Sequence, residues 1–164
     1  MRRAFELLAL LGDGAEHAGS ALAARLGVTR AAVWHQVAQL REQGLQIDAA
    51  RGHGYRLAGG FEALDAARIR AELAPAAREV VALDVVTVTD STNERLLVAL
   101  NEGDIHGRAL LAEHQTAGRG RRGDRWISPP GSGLCLSLGW RVVDQTAATA
   151  LRQRFGVKHV QPVA

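Results

Sequence analysis

The chain has 164 residues, of which 47% are hydrophobic and 4% aromatic, and its formal charge at pH 7 is +3. This composition argues against global disorder and suits one ordinary domain or two small ones. Because aromatic residues are scarce, the core must consist of Leu, Val, Ile and Ala. The mild basic excess permits an anionic partner without requiring one, since a solvated basic surface would give the same charge.

Cysteine content and hydropathy narrow the class of protein further. The single cysteine, Cys135, rules out a disulfide framework within the chain and a zinc site built from paired cysteines. It lies in an apolar run, which indicates a buried structural thiol rather than a nucleophile. No apolar stretch approaches the ~20 residues of a membrane span. We therefore expect a cytoplasmic protein with no membrane partner.

The first 60 residues are predicted to form one domain that begins with three helices. Phe5, Leu8 and Leu11 share a helical apolar face, which the Gly12-Asp13-Gly14 turn ends. Ser20 is expected to cap a second helix over residues 21–26, and Thr29 a third over residues 30–43. A glycine at position 27 suits the tight turn between these two helices.

The third helix and the segment after it predict a winged helix-turn-helix. Val33, Val37 and Leu40 recur at helical spacing and face inward. Strands are predicted over residues 45–50 and 55–57, joined by a hairpin turn at 51–54. The opposite face of the third helix would then enter the DNA major groove, with the wing near phosphates. The candidate DNA contacts are Arg30, Ala31, Trp34, His35, Gln39, Arg51 and Arg56. Protein contact or dimerisation is the alternative use of such a module.

A linker and a second domain follow. Residues 61–79 are predicted as a linker with a helix over 64–73 that Pro75 closes. In the second domain, residues 80–164, the β-branched run 80–89 predicts a strand and residues 94–100 a helix. Two more strands are predicted over residues 108–114 and 134–140. This order of elements indicates an α/β or α+β domain.

The arginine–glycine loop, residues 118–125 (GRGRRGDR), lies between the last two strands. Its three glycines let the backbone bend and bring its N–H groups close to a ligand. Its four arginines carry planar forks that suit phosphate or carboxylate oxygens. The Gly-Lys-Ser/Thr of a P-loop is missing. By itself the loop is equally consistent with a small-molecule phosphate site, an RNA contact or a solvated segment.

Two polar groups flank this loop in the predicted fold. The stretch Asp90-Ser91-Thr92-Asn93 breaks the first strand before its helix, and its short side chains suit hydrogen bonds to a neutral polar ring. A plain helix N-cap by Ser91 or Thr92 is the alternative. Gln115 stands just before the loop, and its amide both donates and accepts, as a ureido or amide ligand requires. A polar residue at the end of a strand is the alternative here.

These motifs together resemble a known family. The segments "DSTN", "EHQTAGRGRRGDRWISPPGSGLCLSLGWR" and "LGVTRAAVWHQVAQLREQGLQI" with "GHGYRL" are similar to the bifunctional biotin protein ligase / biotin operon repressor over about residues 4–141. The resemblance implies a winged helix-turn-helix followed by the first half of a class II synthetase-like catalytic domain. It also implies an enzyme that makes biotinyl-5′-AMP from biotin and ATP with Mg²⁺. Biotin then passes to a lysine of biotin carboxyl carrier protein, and the adenylate-loaded homodimer represses biotin synthesis genes at operator DNA.

The resemblance also implies roles for individual residues. Ser91, Thr92 and Asn93 would lie at the biotin ring, with Gln115 beside it. The loop would cover the acyl phosphate, and Trp126 would pack on the adenylate. The expected contacts are Ser91, Thr92, Asn93, Gln115, Gly118, Arg119, Gly120, Arg121, Arg122 and Trp126. Arg119 and Arg121 would be catalytic, because preorganised guanidinium groups stabilise charge that develops on the α-phosphate. No residue is assigned as a metal ligand.

The chain departs from the family pattern after Arg141. The family continues there with a "KWPND"-type motif, whose lysine contacts biotin and phosphate. Lys158 stands in "VKHVQP" and does not match that motif. We therefore expect a truncated or frameshifted copy, with half a central sheet, an open apolar edge and weak or absent turnover. The second hypothesis is a winged-helix transcriptional regulator without ligase activity.

Overall fold

The computed structural model describes residues 2–50, 54–120 and 126–142, together with positions 124, 144, 146 and 149. The helices of this described part are α1 (Arg2–Leu10), α2 (Gly19–Leu26), α3 (Arg30–Glu42), α4 (Ala66–Glu72), α5 (Pro75–Val80) and α6 (Thr92–Glu102). Its strands are β1 (Ile47–Ala50), β2 (Gly54–Leu57), β3 (Ala82–Thr89), β4 (Arg108–Gln115) and β5 (Cys135–Leu138).

Helices α1 to α3 form the predicted helical part of the first domain. Leu7, Leu8 and Leu11 are fully buried, and they share one cluster with Val33 and Leu40 of α3. The Thr29 hydroxyl accepts a hydrogen bond from the Ala32 N–H at 3.2 Å, which confirms it as the cap of α3. Gly27 adopts the left-handed conformation, with φ of 62°, and turns the chain between α2 and α3.

Strands β1 and β2 pair antiparallel as the wing. Ile47 lies opposite Leu57, and both are buried against the helices. At Gly54 φ is 105°, and a Cβ there would lie 2.1 Å from the His17 carbonyl oxygen. Only glycine fits this close approach, which positions the wing against the α1–α2 connection. The predicted hairpin turn includes positions 51–53, which lie outside the described residues.

Two predictions about helix starts were wrong. Ser20 does not cap α2, because the helix begins at Gly19 and Ala18 holds the N-cap position without a side-chain bond. The helix predicted from residue 64 begins at Ala66, because the Asp65 carboxylate accepts from two N–H groups of its first turn. This helix does end before Pro75, with Leu73 as its C-cap, but Pro75 also begins α5, a helix that was not predicted.

The second domain is built on a three-stranded sheet with the order β3-β4-β5. Strand β3 runs parallel to β4 through the crossover helix α6, whereas β5 pairs antiparallel with β4. Leu83, Ala109 and Leu111 are buried on one face, and Leu64 and Ile69 pack against them. Cys135 is buried, as predicted for a structural thiol. The parallel pair places the ends of β3 and β4 side by side, where the polar motifs begin.

The first domain contacts the second at this same end of the sheet. Val88 of β3 packs against the core of the first domain. The Phe5 and His114 rings lie 6.1 Å apart between centroids. In the linker, the Leu64 N–H donates to the Glu113 carboxylate, beside a cavity of about 530 Å³ between the domains. No helix in the described part of the chain is long and apolar enough to cross a membrane.

Candidate functional site

Thr92, Gln115 and Ser137 form a polar cluster at the start of α6. The Gln115 Oε1 accepts from the Thr92 N–H at 2.7 Å and from the Thr92 hydroxyl at 3.0 Å. A backbone N–H can only donate, so the oxygen of the Gln115 amide must face Thr92. The Thr92 Oγ1 also lies 2.8 Å from the Ser137 Oγ. Because the Thr92 hydroxyl donates to Gln115, Ser137 must donate to Thr92.

The residues around this cluster hold the turn between β3 and α6. The Asp90 carboxylate accepts from the Ser91 N–H at 2.7 Å and from the Thr89 hydroxyl at 2.9 Å. The bond from the Ser91 N–H, with smaller help from Thr89, lowers the pKa of the Asp90 carboxyl. The Ser91 Oγ accepts from the Glu94 N–H at 3.4 Å, so Ser91 is the N-cap of α6. Asn93 is half-buried in the first turn of the helix.

The described ends of the arginine–glycine loop pair with each other. The Gly118 carbonyl accepts from the Trp126 N–H at 2.8 Å, and the Gly120 N–H donates to the Asp124 carbonyl at 2.7 Å. A Cβ on Gly118 would lie 3.1 Å from the Gln115 Nε2, so the base of the loop touches the polar cluster. Arg119 is exposed beside this base. Arg121 and Arg122, which were predicted to contact the adenylate, lie outside the described residues.

The structure thus brings most of the predicted ligand contacts to one end of the sheet. Thr92 bonds to Gln115 there, Ser91 and Asn93 flank Thr92 at the start of α6, and Gly118 adjoins the Gln115 amide. Trp126 follows the loop and is 57% exposed. Ser137 was missed by the sequence analysis. Its only signal was a single hydroxyl in the otherwise apolar strand "LCLSL".

This arrangement has two chemical parts. The polar cluster presents hydroxyl and amide groups that both donate and accept, without a charged side chain among them. Such a group suits a neutral, polar ligand. The adjacent base of the loop adds the backbone of Gly118 and Gly120 and the exposed guanidinium group of Arg119, which suit an anion. Among the described residues no group of three His, Cys, Asp or Glu side chains could hold a metal ion.

The predicted nucleic-acid face of α3 is open. The five candidates on this helix are all exposed, opposite the buried Val33, Val37 and Leu40: Arg30, Ala31, Trp34, His35 and Gln39. The Trp34 and His35 rings stack edge to face, 5.0 Å apart between centroids.

The structure describes one of the two wing arginines that were predicted to contact DNA. The guanidinium of Arg56 pairs with the Asp48 carboxylate at 3.0 Å across the two strands. Both side chains are at least half exposed, so the pair contributes little to stability and can exchange for a phosphate. Arg51, the other predicted wing contact, lies outside the described residues.

Comparison with known families finds one match in each half of the chain. Residues 3–56 match an HTH domain. Residues 85–161 match the biotin/lipoate A/B protein ligase family. The second match includes the polar cluster and the arginine–glycine loop. It also extends past Arg141, where the resemblance read from the motifs had ended.

The names of individual relatives describe a ligase, and in two of the cases below also a repressor. The chain is 42% identical over 142 residues to the "Bifunctional ligase/repressor BirA" of Salmonella typhimurium, and 39% over 143 residues to that of Escherichia coli. These alignments cover 87% of this chain but 42% and 43% of the two relatives. It is also 48% identical over 82 residues to the "Biotin--[acetyl-CoA-carboxylase] ligase" of Mycobacterium tuberculosis, which covers 49% of this chain and 31% of that one.

The chain therefore spans less than half the length of the curated relatives that it matches. Within that span the order of the matched regions agrees with the order of the two folded domains. The HTH match lies in the first of these domains, and the match to the biotin/lipoate A/B protein ligase family lies in the second.

Proposed function

We propose that this chain belongs to a biotin–protein ligase that is also a repressor of biotin synthesis genes. The ligase forms biotinyl-5′-AMP from biotin and ATP and transfers biotin to a lysine of biotin carboxyl carrier protein. The HTH domain binds operator DNA, as a homodimer. One observation carries the ligase proposal: the polar cluster of Thr92, Gln115 and Ser137 lies directly against the base of the arginine–glycine loop.

The polar cluster suits the ureido ring of biotin. With its oxygen held by Thr92, the Gln115 amide keeps its Nε2 hydrogens available as donors. A ureido group carries one carbonyl acceptor and two N–H donors, and the cluster offers both kinds of partner. Ser91 and Asn93 border the same turn and complete the proposed ring contacts.

The arginine–glycine loop suits the other end of the ligand. Adenylation develops negative charge on the α-phosphate, and Arg119 with Arg121 would stabilise that charge. Gly118 and Gly120 have no Cβ and would let the phosphate come close to the backbone, and Arg122 and Trp126 would extend the contact. An ordered loop would also shield the mixed anhydride from water. The described residues hold no metal cage, so Mg²⁺ would be carried by the nucleotide phosphates and water.

A binding measurement tests the ligase site without requiring turnover. We expect calorimetry to detect biotin binding to the folded chain, and Thr92→Val to weaken it about fivefold, because one hydrogen bond of the cluster is worth ~1 kcal/mol. The matched control is Thr87→Val, the same change at an exposed position of β3. Folded chain that binds neither biotin nor its adenylate would contradict the proposal, as would equal losses in the two variants.

A second matched pair of variants tests the proposed binding of operator DNA. Arg30→Ala removes a guanidinium from the exposed face of α3, and Arg95→Ala removes one from α6 of the other domain. We expect the first to weaken operator binding about tenfold and to reduce its salt dependence, and the second to leave both unchanged. Binding that ignores DNA sequence, or that responds equally to both variants, would contradict operator recognition.

The second candidate function is a winged-helix regulator without ligase activity. The exposed, ordered face of α3 favours it independently of the loop. Operator binding by a folded chain that does not bind biotin or ATP would select this alternative. Operator binding that tightens when biotin and ATP are added would select the bifunctional protein.

A further inference from the structure

The exit segment, residues 126–132, follows the arginine–glycine loop and makes few hydrogen bonds to other parts of the described chain. Pro129 and Pro130 have no N–H to donate. The Ser128 carbonyl is held by His114, whose Nδ1 lies 3.2 Å away. A carbonyl only accepts, so the imidazole must carry its proton on Nδ1. Both residues are buried, and we find no second partner for this carbonyl among the described residues.

His114 stands on β4 immediately before Gln115. Strand β4 is the central strand of the sheet and pairs with a neighbour on each side, so the backbone that carries both side chains is rigid. Gln115 orients the polar cluster through Thr92, while His114 fixes the chain that leaves the loop. Adjacent positions of one rigid strand therefore set the distance between the cluster and the exit of the loop.

The first domain fixes the imidazole and the same exit segment. Phe5 of α1 lies against the His114 ring. A Cβ on Gly44, just after α3, would lie 3.2 Å from the Pro129 ring. A Cβ on Gly131 would lie 3.0 Å from the Phe61 ring of the linker. The exit segment thus lies between β4 and the DNA-binding domain, with His114 as its hydrogen-bonding anchor.

We propose that His114 is a positioning residue for the segment that leaves the arginine–glycine loop, residues 126–132, acting through the Ser128 carbonyl and held in place by Phe5. Its importance for adenylate binding rests on the proposed ligase function. The anchoring itself is a property of the ligand-free chain. Without the imidazole N–H, the buried carbonyl loses its partner and the exit segment opens more often.

Trypsin reports this opening directly, because Arg119 lies at the base of the loop. The test compares His114→Leu, which removes the donor, with His114→Asn, which keeps an N–H near the position of Nδ1. We expect cleavage after Arg119 to be about tenfold faster in the leucine variant and near wild type in the asparagine variant, because cleavage follows the population of the open form.

Cleavage after Arg95, within α6, is the internal control for general unfolding. The proposal requires cleavage after Arg119 to become faster relative to cleavage after Arg95 in His114→Leu. In His114→Asn the ratio of the two rates should return to that of the wild-type chain. It is overturned if both bonds are cut faster by the same factor, if neither rate changes, or if asparagine behaves like leucine.

Adding biotin and ATP to the same digestion separates the two proposals. Protection of the Arg119 bond in the wild-type chain supports the ligase site. Lack of protection would count against the ligase site and leave the His114 comparison intact. Protection that survives in His114→Leu at unchanged ligand concentrations would overturn the link between this residue and adenylate binding.

Discussion

Ser137 shows how a single hydroxyl completes the polar cluster. It donates to Thr92, which donates to Gln115, so one hydroxyl aligns the next. We expect Ser137→Ala to weaken biotin binding about threefold to tenfold, because neutral hydrogen bonds of this kind are worth about 0.5–1.5 kcal/mol. The control is Ser132→Ala, whose hydroxyl bonds only within its own turn, to the Pro129 carbonyl. Calorimetric affinities that match for the two variants would remove Ser137 from the site.

Glu113 makes the stability of the chain depend on pH. Burial raises the pKa of its carboxyl, against a smaller lowering by the Leu64 N–H. The folded state therefore keeps this proton to a higher pH than the unfolded chain does. The free energy of unfolding then falls as pH rises through the interval between the unfolded and the folded pKa.

The substitution Glu113→Gln tests this dependence, because it keeps an oxygen for the Leu64 N–H and cannot ionise. We expect the variant to gain stability relative to wild type as pH rises from acidic to neutral. Urea unfolding of both proteins across that range measures the difference. Glu6 and Asp65 line the same cavity and are the same in both proteins, so the comparison isolates position 113. A difference that stays constant with pH would show that Glu113 is not the source.

At the scale of elements, the wing depends on a glycine that no other residue replaces. Gly54 and Gly27 both have positive φ, but a Cβ would meet the His17 carbonyl at Gly54 and nothing within 4 Å at Gly27. We expect Gly27→Ala to lower the free energy of unfolding by about 1–2 kcal/mol from backbone strain alone. Gly54→Ala adds a steric clash and should cost more. Chemical denaturation of the two variants measures this, and equal losses would argue against the clash.

Most helices and strands followed from local patterns, whereas several of their ends did not. The apolar spacing of α1 and α3 and the β-branched run of β3 were sufficient to place these elements. Helix ends depend on which side chain reaches a free N–H group. Asp65 reaches two such groups, whereas Ser20 reaches none. The residues near a helix start show which side chains could cap it, but the backbone geometry decides which of them reaches a free N–H group.

At the scale of the whole molecule, β5 leaves apolar side chains in solvent. Leu136 and Leu138 are 49% and 50% exposed, as the predicted open apolar edge requires. We expect the double substitution Leu136→Ser and Leu138→Ser to reduce concentration-dependent self-association, because exposed apolar strand edges promote it. Val80→Ser, at an equally exposed position on α5, is the control. Light scattering across a concentration series measures the effect, and equal behaviour of both variants would contradict it.

The sequence by itself determined the order of elements apart from α5, the helix-turn-helix with its wing, the buried thiol and the motifs around the arginine–glycine loop. These depend on neighbours within a helical turn or a strand, which a linear pattern records. Only the tertiary structure decided that Ser137 joins Thr92, that Glu113 meets Leu64 and that His114 holds Ser128. The first two of these pairs are 45 and 49 residues apart in the chain. Such pairs form only once the sheet order and the docking of the first domain bring their backbones together, and no local pattern contains that information.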